Sequence, residues 1–334
     1  MKAILLKDFG STDNFMLENN YAIPDPGDHE VLIKIKATAF NPIDYQMRQG
    51  LTEKKRMHSP ILGREFSGVI VKAGNLTERF KVGDAVFAAS GSMGSNGTYT
   101  EYISVPELLL AYKPEYLTFE EAAAIPSASL TALQCYNRLA LHLNDSIFIT
   151  GAAGGVGMAL VKLLIATGYQ KIIVTAGNQE SKNQLLKAGL KEEQIIDYKA
   201  AHLLQLIIAR NQGHLFKYCI DLVGDQMSLV CAHVIATNGT YADVTALTTE
   251  QAREELFHKG AVLVNISNYA YSLEKNYSYY GESLSKFMEL MSSLSLSPPT
   301  IKNVGLLSVE TVKEAHQLLE SNLTKGRKLV MQIP

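Results

Sequence analysis

The clearest chemistry in this sequence lies in the run Gly151-Ala152-Ala153-Gly154-Gly155-Val156-Gly157. It follows the apolar stretch 147–150 and opens a helical pattern that stops at Gly168. A pyrophosphate can approach backbone N–H groups at a helix N-terminus, where unpaired donors and the helix dipole favour negative charge. A side chain would block that approach, so glycine serves there. The spacing Gly151, Gly154, Gly157 is a GxxGxxG variant, with Ala153 at the second glycine of the commoner GxGxxG pattern. An ATP-type phosphate loop is excluded, because no Gly-Lys-Ser/Thr follows. The turn therefore points to a dinucleotide, held by Gly151, Ala153, Gly154, Gly155, Val156 and Gly157.

The next strand bears on which dinucleotide. Sites that select NAD carry an acid about 20 residues on, to hold the ribose 2′-hydroxyl. Here the strand ends Thr175-Ala176-Gly177-Asn178, without an acid, and Ser181 and Lys182 follow. A hydroxyl and an ammonium suit a 2′-phosphate that a carboxylate would repel. Glu180 is the dissenting residue. The expectation is NADPH, with Asn178, Ser181 and Lys182 at its phosphate.

Such a turn needs a sheet behind it. From near residue 120, strands at 147–150, 171–175, 194–197, 217–223, 240–244 and 261–266 alternate with helices at 156–167, 180–187, 202–210 and 227–236. That order implies a parallel sheet covered on both faces. The first third reads as β. Residues 30–37 alternate apolar and polar, and 66–72, 85–89 and 99–105 are further strands, separated by turn chemistry such as Pro24-Asp25-Pro26-Gly27-Asp28. They suggest a small barrel or sandwich. Helices are expected at 283–294 and 309–319. A last strand at 328–333 needs a sheet to join, and the N-terminal β domain is the expected one. Arg327 and Lys328 at its start could approach the cofactor, but read first as a solvated strand start.

A chain of 334 residues holds about two domains. The net charge of −2 and the absence of a basic stripe argue against nucleic acid or an anionic membrane as partner. The N-terminal residues carry no signal-peptide pattern, and no apolar run reaches the length of about 18 that a membrane span requires. Cys135, Cys219 and Cys231 lie outside any CxxC pair and read as reduced, buried thiols of a cytoplasmic protein.

Several segments, in order along nearly the whole chain, resemble the medium-chain dehydrogenase/reductase superfamily, and within it the zinc-free quinone oxidoreductases (zeta-crystallin-like). They are the run from Asn41-Pro42-Ile43-Asp44-Tyr45 to Gly50, Leu62-Gly63-Arg64-Glu65-Phe66-Ser67-Gly68-Val69, Val82-Gly83-Asp84, Gly97-Thr98-Tyr99, Ala123-Ala124-Ile125-Pro126 through Thr131-Ala132, and the glycine turn. The resemblance implies an α/β fold, a Rossmann doubly wound parallel sheet plus a GroES-like β-barrel domain. Residues 1–122 would form the first part of the GroES-like substrate domain, 123–266 the NADPH-binding domain, and 267–334 the return to the first. It implies an active site in the cleft between the domains and a homodimer joined by edge strands. Zinc enzymes of the superfamily use Cys, His and Cys as catalytic ligands. The matching positions here are Asn41, Arg64 and Ser127, none a competent zinc ligand, so no metal is expected. Glu65 then reads as a structural carboxylate paired with Arg64.

Without a metal to polarise an oxygen, the fitting reaction is hydride transfer from NADPH to a quinone or an activated enone. Asn41 and Tyr45 are the candidates on the substrate side. Asp44 and Arg48 read as an i,i+4 pair that stiffens a helical turn. The resemblance adds Thr131, Tyr198, Val223, Gly224, Asn265, Ile266 and Ser267 as cofactor contacts. Many family members carry a tyrosine where Thr52 stands, and the acceptor pocket is expected from loops 91–96 and 269–280. Two other readings share these motifs. A 2-enoyl-thioester reductase would need a basic patch, for which only Lys54-Lys55-Arg56 offers itself. A crystallin-like protein would bind NADPH without catalysis.

Overall fold

The computed structural model describes residues 1–91 and 93–334, with the backbone alone at 52 and 53. Thr52's side chain and Ser92 of the 91–96 loop lie outside the described residues. The chain divides into two compact units. The first comprises Met1–Ser127, Tyr271–Leu290 and Ser297–Pro334, and the second Ala128–Ala270 with Met291–Leu296.

The first unit is built on the long strand Glu30–Ala39. The strand Glu65–Ala73 pairs along one edge of it, antiparallel. Tyr102–Pro106 pairs with residues 30–34 on the other edge, and Lys328–Gln332 with residues 37–39. One strand thus serves two neighbours end to end, which curls the sheet around a core of Ile33, Ile35, Phe66, Ile70, Phe87 and Ile103. The last strand does join the N-terminal sheet, and it carries Ile301–Leu306 parallel on its outer edge. That strand, and the pair Ala3–Leu6 with Phe15–Glu18, were not visible as alternating runs.

The second unit holds six parallel strands in the order Ile195–Asp197, Ile172–Ala176, Ile147–Ile149, Phe216–Asp221, Ile235–Asp243, Val262–Asn265. Successive side chains of a strand face opposite sides. Ile147, Ile149, Val174 and Ile220 accordingly enter one core with Leu160 and Leu164, while Phe148, Ile173 and Cys219 enter another with Cys231 and Leu256. Both faces are covered, which is why these strands read as unbroken apolar runs. Among the described residues no helix is long and apolar enough to cross a membrane.

Candidate active site

The strand order of the second unit reverses between Ile147–Ile149 and Phe216–Asp221, and the glycine turn leaves the sheet at that point. Open parallel sheets place ligands at such a switch point, outside the carboxyl ends of the strands. Gly151 has a φ of +62°, and a Cβ there would lie 2.8 Å from Val223 Cγ2. At Gly157 a Cβ would come within 2.5 Å of the Ala152 backbone, so the following helix could not pack so close with any larger residue. Gly154 caps the helix Gly155–Ala166, and Gly154 and Gly155 are exposed above buried Ala152 and Ala153. The N–H groups of Gly155, Val156 and Gly157 have no acceptor among the described residues. Three convergent unpaired donors at a helix N-terminus fit a pyrophosphate.

A buried network shapes the turn from below. Thr150 Oγ1 donates to Asp221 Oδ1 at 2.6 Å, and the N–H groups of Val223 and Gly224 reach the same oxygen at 3.1 and 3.0 Å. Tyr241 donates its hydroxyl to Asp221 Oδ2 at 2.9 Å. Burial, reinforced by the Asp221 charge, pushes the Tyr241 hydroxyl far up, so it remains a donor. One carboxylate therefore ties the glycine turn to the Val223-Gly224 turn.

At the end of the next strand, Asn178 caps the helix Gln179–Lys187 by accepting from Ser181 N at 2.9 Å. Ser181 is buried, and the Lys182 ammonium is ion-paired with Glu192. The expected hydroxyl–ammonium pair is thus not assembled at the Asn178 turn. Tyr198 does stand there. Its ring lies so close over Gly177 that a Cβ would be 2.3 Å away. Exposed Lys199 donates to Gly177 O at 3.1 Å and sits 5.5 Å from the Tyr198 ring centroid. Sequence reading passed over Lys199, whose only signal is its place beside Tyr198.

The remaining cofactor candidates of this unit gather on the helix Pro126–Arg138. Thr131 Oγ1 accepts from Asn268 Nδ2 at 2.9 Å. Arg138 donates to Asn265 O at 2.5 Å, and Gln134 to Ser267 O at 3.3 Å. Ile266 is buried between them, its N–H on Asp243 O at 2.8 Å. Four residues from two distant segments are thereby fixed as one wall.

In the first unit, a second constellation forms around fully buried Glu65. Asn41 caps the helix Pro42–Arg48, but Asp44 accepts the Asn41 N–H at 2.8 Å, and the Asn41 amide turns away from the helix. Asn41 Nδ2 donates to Glu65 Oε1 at 2.8 Å. The Ser127 N–H, in the first turn of Pro126–Arg138, donates to Glu65 Oε2 at 2.7 Å, where a helix N-terminus welcomes a carboxylate. Lys328 Nζ lies 2.6 Å from Glu65 Oε1 and also donates to Asn41 Oδ1. Burial pushes the Asp44 carboxyl up to about 6 and Glu65 adds to the rise, against the pull of the Asn41 N–H, Arg64 and Lys328. Half-buried Tyr45 makes no side-chain hydrogen bond among the described residues.

Three expectations are corrected here. Glu65 pairs with Lys328 and not with Arg64, one of whose amines reaches Met47 Sδ at 3.7 Å. Lys328 is no solvated strand start, because only 9% of its side chain is exposed. Arg48 does not pair with Asp44; it reaches Glu320, Gly10 O and His316 Nδ1. Its guanidinium and burial hold His316 down to about 3, burial contributing most, so the ring is neutral. Strand pairing brought residue 328 beside residue 41, a proximity that helical spacing cannot reveal.

The alcohol dehydrogenase GroES-like domain family matches residues 27–115. Over the whole chain, the 2-methylene-furan-3-one reductase of Solanum lycopersicum is 32% identical, the match spanning 100% of this chain and 80% of the relative. The chloroplastic NADPH-dependent alkenal/one oxidoreductase of Arabidopsis thaliana is 30% identical with the same coverage. Among solved structures, the quinone oxidoreductase from Coxiella burnetii superposes with a TM-score of 0.84 at 26% identity, covering 100% of this chain and 99% of that one.

Proposed function

The chain belongs to the quinone oxidoreductase-like family of the medium-chain dehydrogenase/reductase superfamily, and from that premise we propose that it is a zinc-independent, NADPH-dependent reductase of quinones or activated enones. The observation that carries this reading is the set of unpaired N–H groups at Gly155, Val156 and Gly157, at the switch point of a parallel sheet. Bound there, NADPH supplies a hydride. The N–H groups hold its pyrophosphate, the Asp221 network keeps their turn in shape, and Thr131 with residues 265–267 forms the wall at the nicotinamide end. At the 2′-phosphate, Lys199 joins Asn178 and Ser181; Lys182 would have to leave Glu192 to contribute. The Arabidopsis relative, matched over the whole of this chain, is named for NADPH.

Zinc does not fit the Glu65 constellation. Asn41 presents its amide N–H₂ to Glu65, Ser127 contributes a backbone N–H, and the Lys328 ammonium holds the carboxylate oxygen a metal would need. Two cations on one carboxylate would repel each other. Asn41 and Tyr45 remain the proposed acceptor-side residues.

Val262 and Leu263 are 54% and 50% exposed on the edge strand Val262–Asn265, which has a partner on one side only. An apolar edge strand invites a second copy, which supports a homodimer. The unpaired, buried Cys135, Cys219 and Cys231 support a reducing, cytoplasmic location. Burial pushes the Cys135 thiol up to about 12, so it is inert.

The test follows NADPH and NADH oxidation with 1,4-naphthoquinone, 3-buten-2-one and crotonyl-CoA. The expected result is NADPH turnover with the first two acceptors. Equal rates with NADH would sink the cofactor assignment. Turnover of crotonyl-CoA alone would favour the enoyl-thioester reading, and tight NADPH binding with no turnover would favour a non-catalytic, crystallin-like role.

A further inference from the structure

Lys328 is held as a charge with one valence left over. An ammonium has three N–H donors. Glu65 Oε1 and Asn41 Oδ1 take two of them, and no other acceptor for Lys328 exists among the described residues. Its side chain is 9% exposed, so the charge is screened by little water. Glu65 is fixed in turn by the Ser127 N–H at 2.7 Å and the Asn41 amide at 2.8 Å, while Asp44 fixes the Asn41 backbone at 2.8 Å. Structural ion pairs of this burial satisfy their remaining donors. This one leaves an oriented N–H.

We propose that Lys328, positioned by Glu65 and Asn41, is the donor that binds the acceptor's carbonyl oxygen and takes up the negative charge that develops there. The proposal rests on the reductase reading above. When a hydride bonds to the β-carbon of an enone, the C=C electron pair shifts toward the carbonyl carbon and the C=O π pair moves onto oxygen. The acceptor is reduced by two electrons and the dinucleotide is oxidised by two. Lys328 keeps its proton and hydrogen-bonds the enolate oxygen, and solvent then supplies one proton to the α-carbon. A preorganised donor in a site of low dielectric acts on the charge as it forms, without reorganising.

The experiment uses the whole chain and two measurements. In the first, 4-nitrophenol is titrated into the protein without cofactor, its phenolate absorbance reporting the protonation of an enolate-like oxygen. The wild type is expected to raise the ionised fraction on binding. The double variant K328M/E65Q removes both charges together, so no lone buried ion threatens folding, and it is expected to lose that rise; K328R is expected to keep part of it. In the second, kcat is compared for 3-buten-2-one and 1,4-naphthoquinone. The double variant is expected to lose about 100-fold on the enone, with the KM for NADPH unchanged. The quinone, whose reduced anion is delocalised, should lose about 10-fold on the same argument. A merely structural defect lowers both alike. Unchanged ionisation of 4-nitrophenol in the double variant, or equal losses on the two acceptors, would overturn the assignment. If the wild type ionises the phenol but oxidises NADPH with neither acceptor, the reductase reading falls and the Lys328 oxyanion site stands. If the wild type turns over both acceptors and fails to ionise the phenol, only the Lys328 assignment falls.

Discussion

At the glycine turn the donors are backbone N–H groups of three consecutive residues, and the side chains nearby are mostly hydrogen or methyl. In the Glu65 constellation the groups are side chains and two N–H groups, drawn from positions 41, 44, 65, 127 and 328. The first region makes its positive potential from the end of a helix, which costs no buried ion. The second concentrates a full charge and must neutralise it with a buried carboxylate, which is expensive unless both partners stay in place. A backbone site therefore tolerates changes of side chain wherever no atom collides, whereas an ion-pair site tolerates paired changes and resists single ones.

The largest expected effect lies in the ion pair. Glu65→Ala would strand the Lys328 ammonium and cost about 3–5 kcal/mol in denaturant unfolding. Adding Lys328→Met should return most of that loss, and failure to do so would mean that Glu65 acts through Ser127 and not through Lys328. A pH effect of a few kcal/mol is expected from His316. Its folded value is depressed to about 3 from an ordinary 6.5, so the stability it confers is present above 6.5 and is lost as pH falls toward 3. Asp44, raised to about 6, works in the opposite sense: it favours folding below its ordinary value and loses that contribution as pH rises through 6. His316→Gln should flatten the acid limb of a melting-temperature profile; an unchanged slope would show that the ring is not held neutral.

In the backbone site, Gly157→Val should cost about 3 kcal/mol, because its Cβ collides with the Ala152 backbone and not with a movable side chain. NADPH binding, read by nicotinamide fluorescence, should be lost with it, while Gly154→Ala, with only Gly151 O at 3.3 Å, should stay folded. The smallest effects concern the 2′-phosphate. Lys199→Ala should weaken NADPH about 10-fold and leave NADH unchanged, as loss of one charge-assisted contact would. Lys182→Ala should do less, since Glu192 already occupies that ammonium. The reverse ranking would show that Lys182 swings away from Glu192 to bind.

Much of this was legible in the chain because the signals are local. The strand at 85–89 and the helix following Gly154 stand where their patterns place them, and six apolar runs became six parallel strands. Thr131 and residues 265–267 were named through family resemblance, and their joining on one helix was not readable from spacing. The pairings of Glu65 and Arg48 were misjudged for one reason. Each was assigned to a neighbour in sequence, while long side chains go to whichever opposite charge the fold brings within reach.

The sequence by itself determined the glycine turn and the alternation of strands and helices, since turn chemistry and hydrophobic period act over a few residues. Only the tertiary structure decided that Lys328 meets Glu65 and Asn41. That meeting depends on the last strand pairing antiparallel with residues 37–39, and a contact across nearly the whole chain leaves no trace in local spacing.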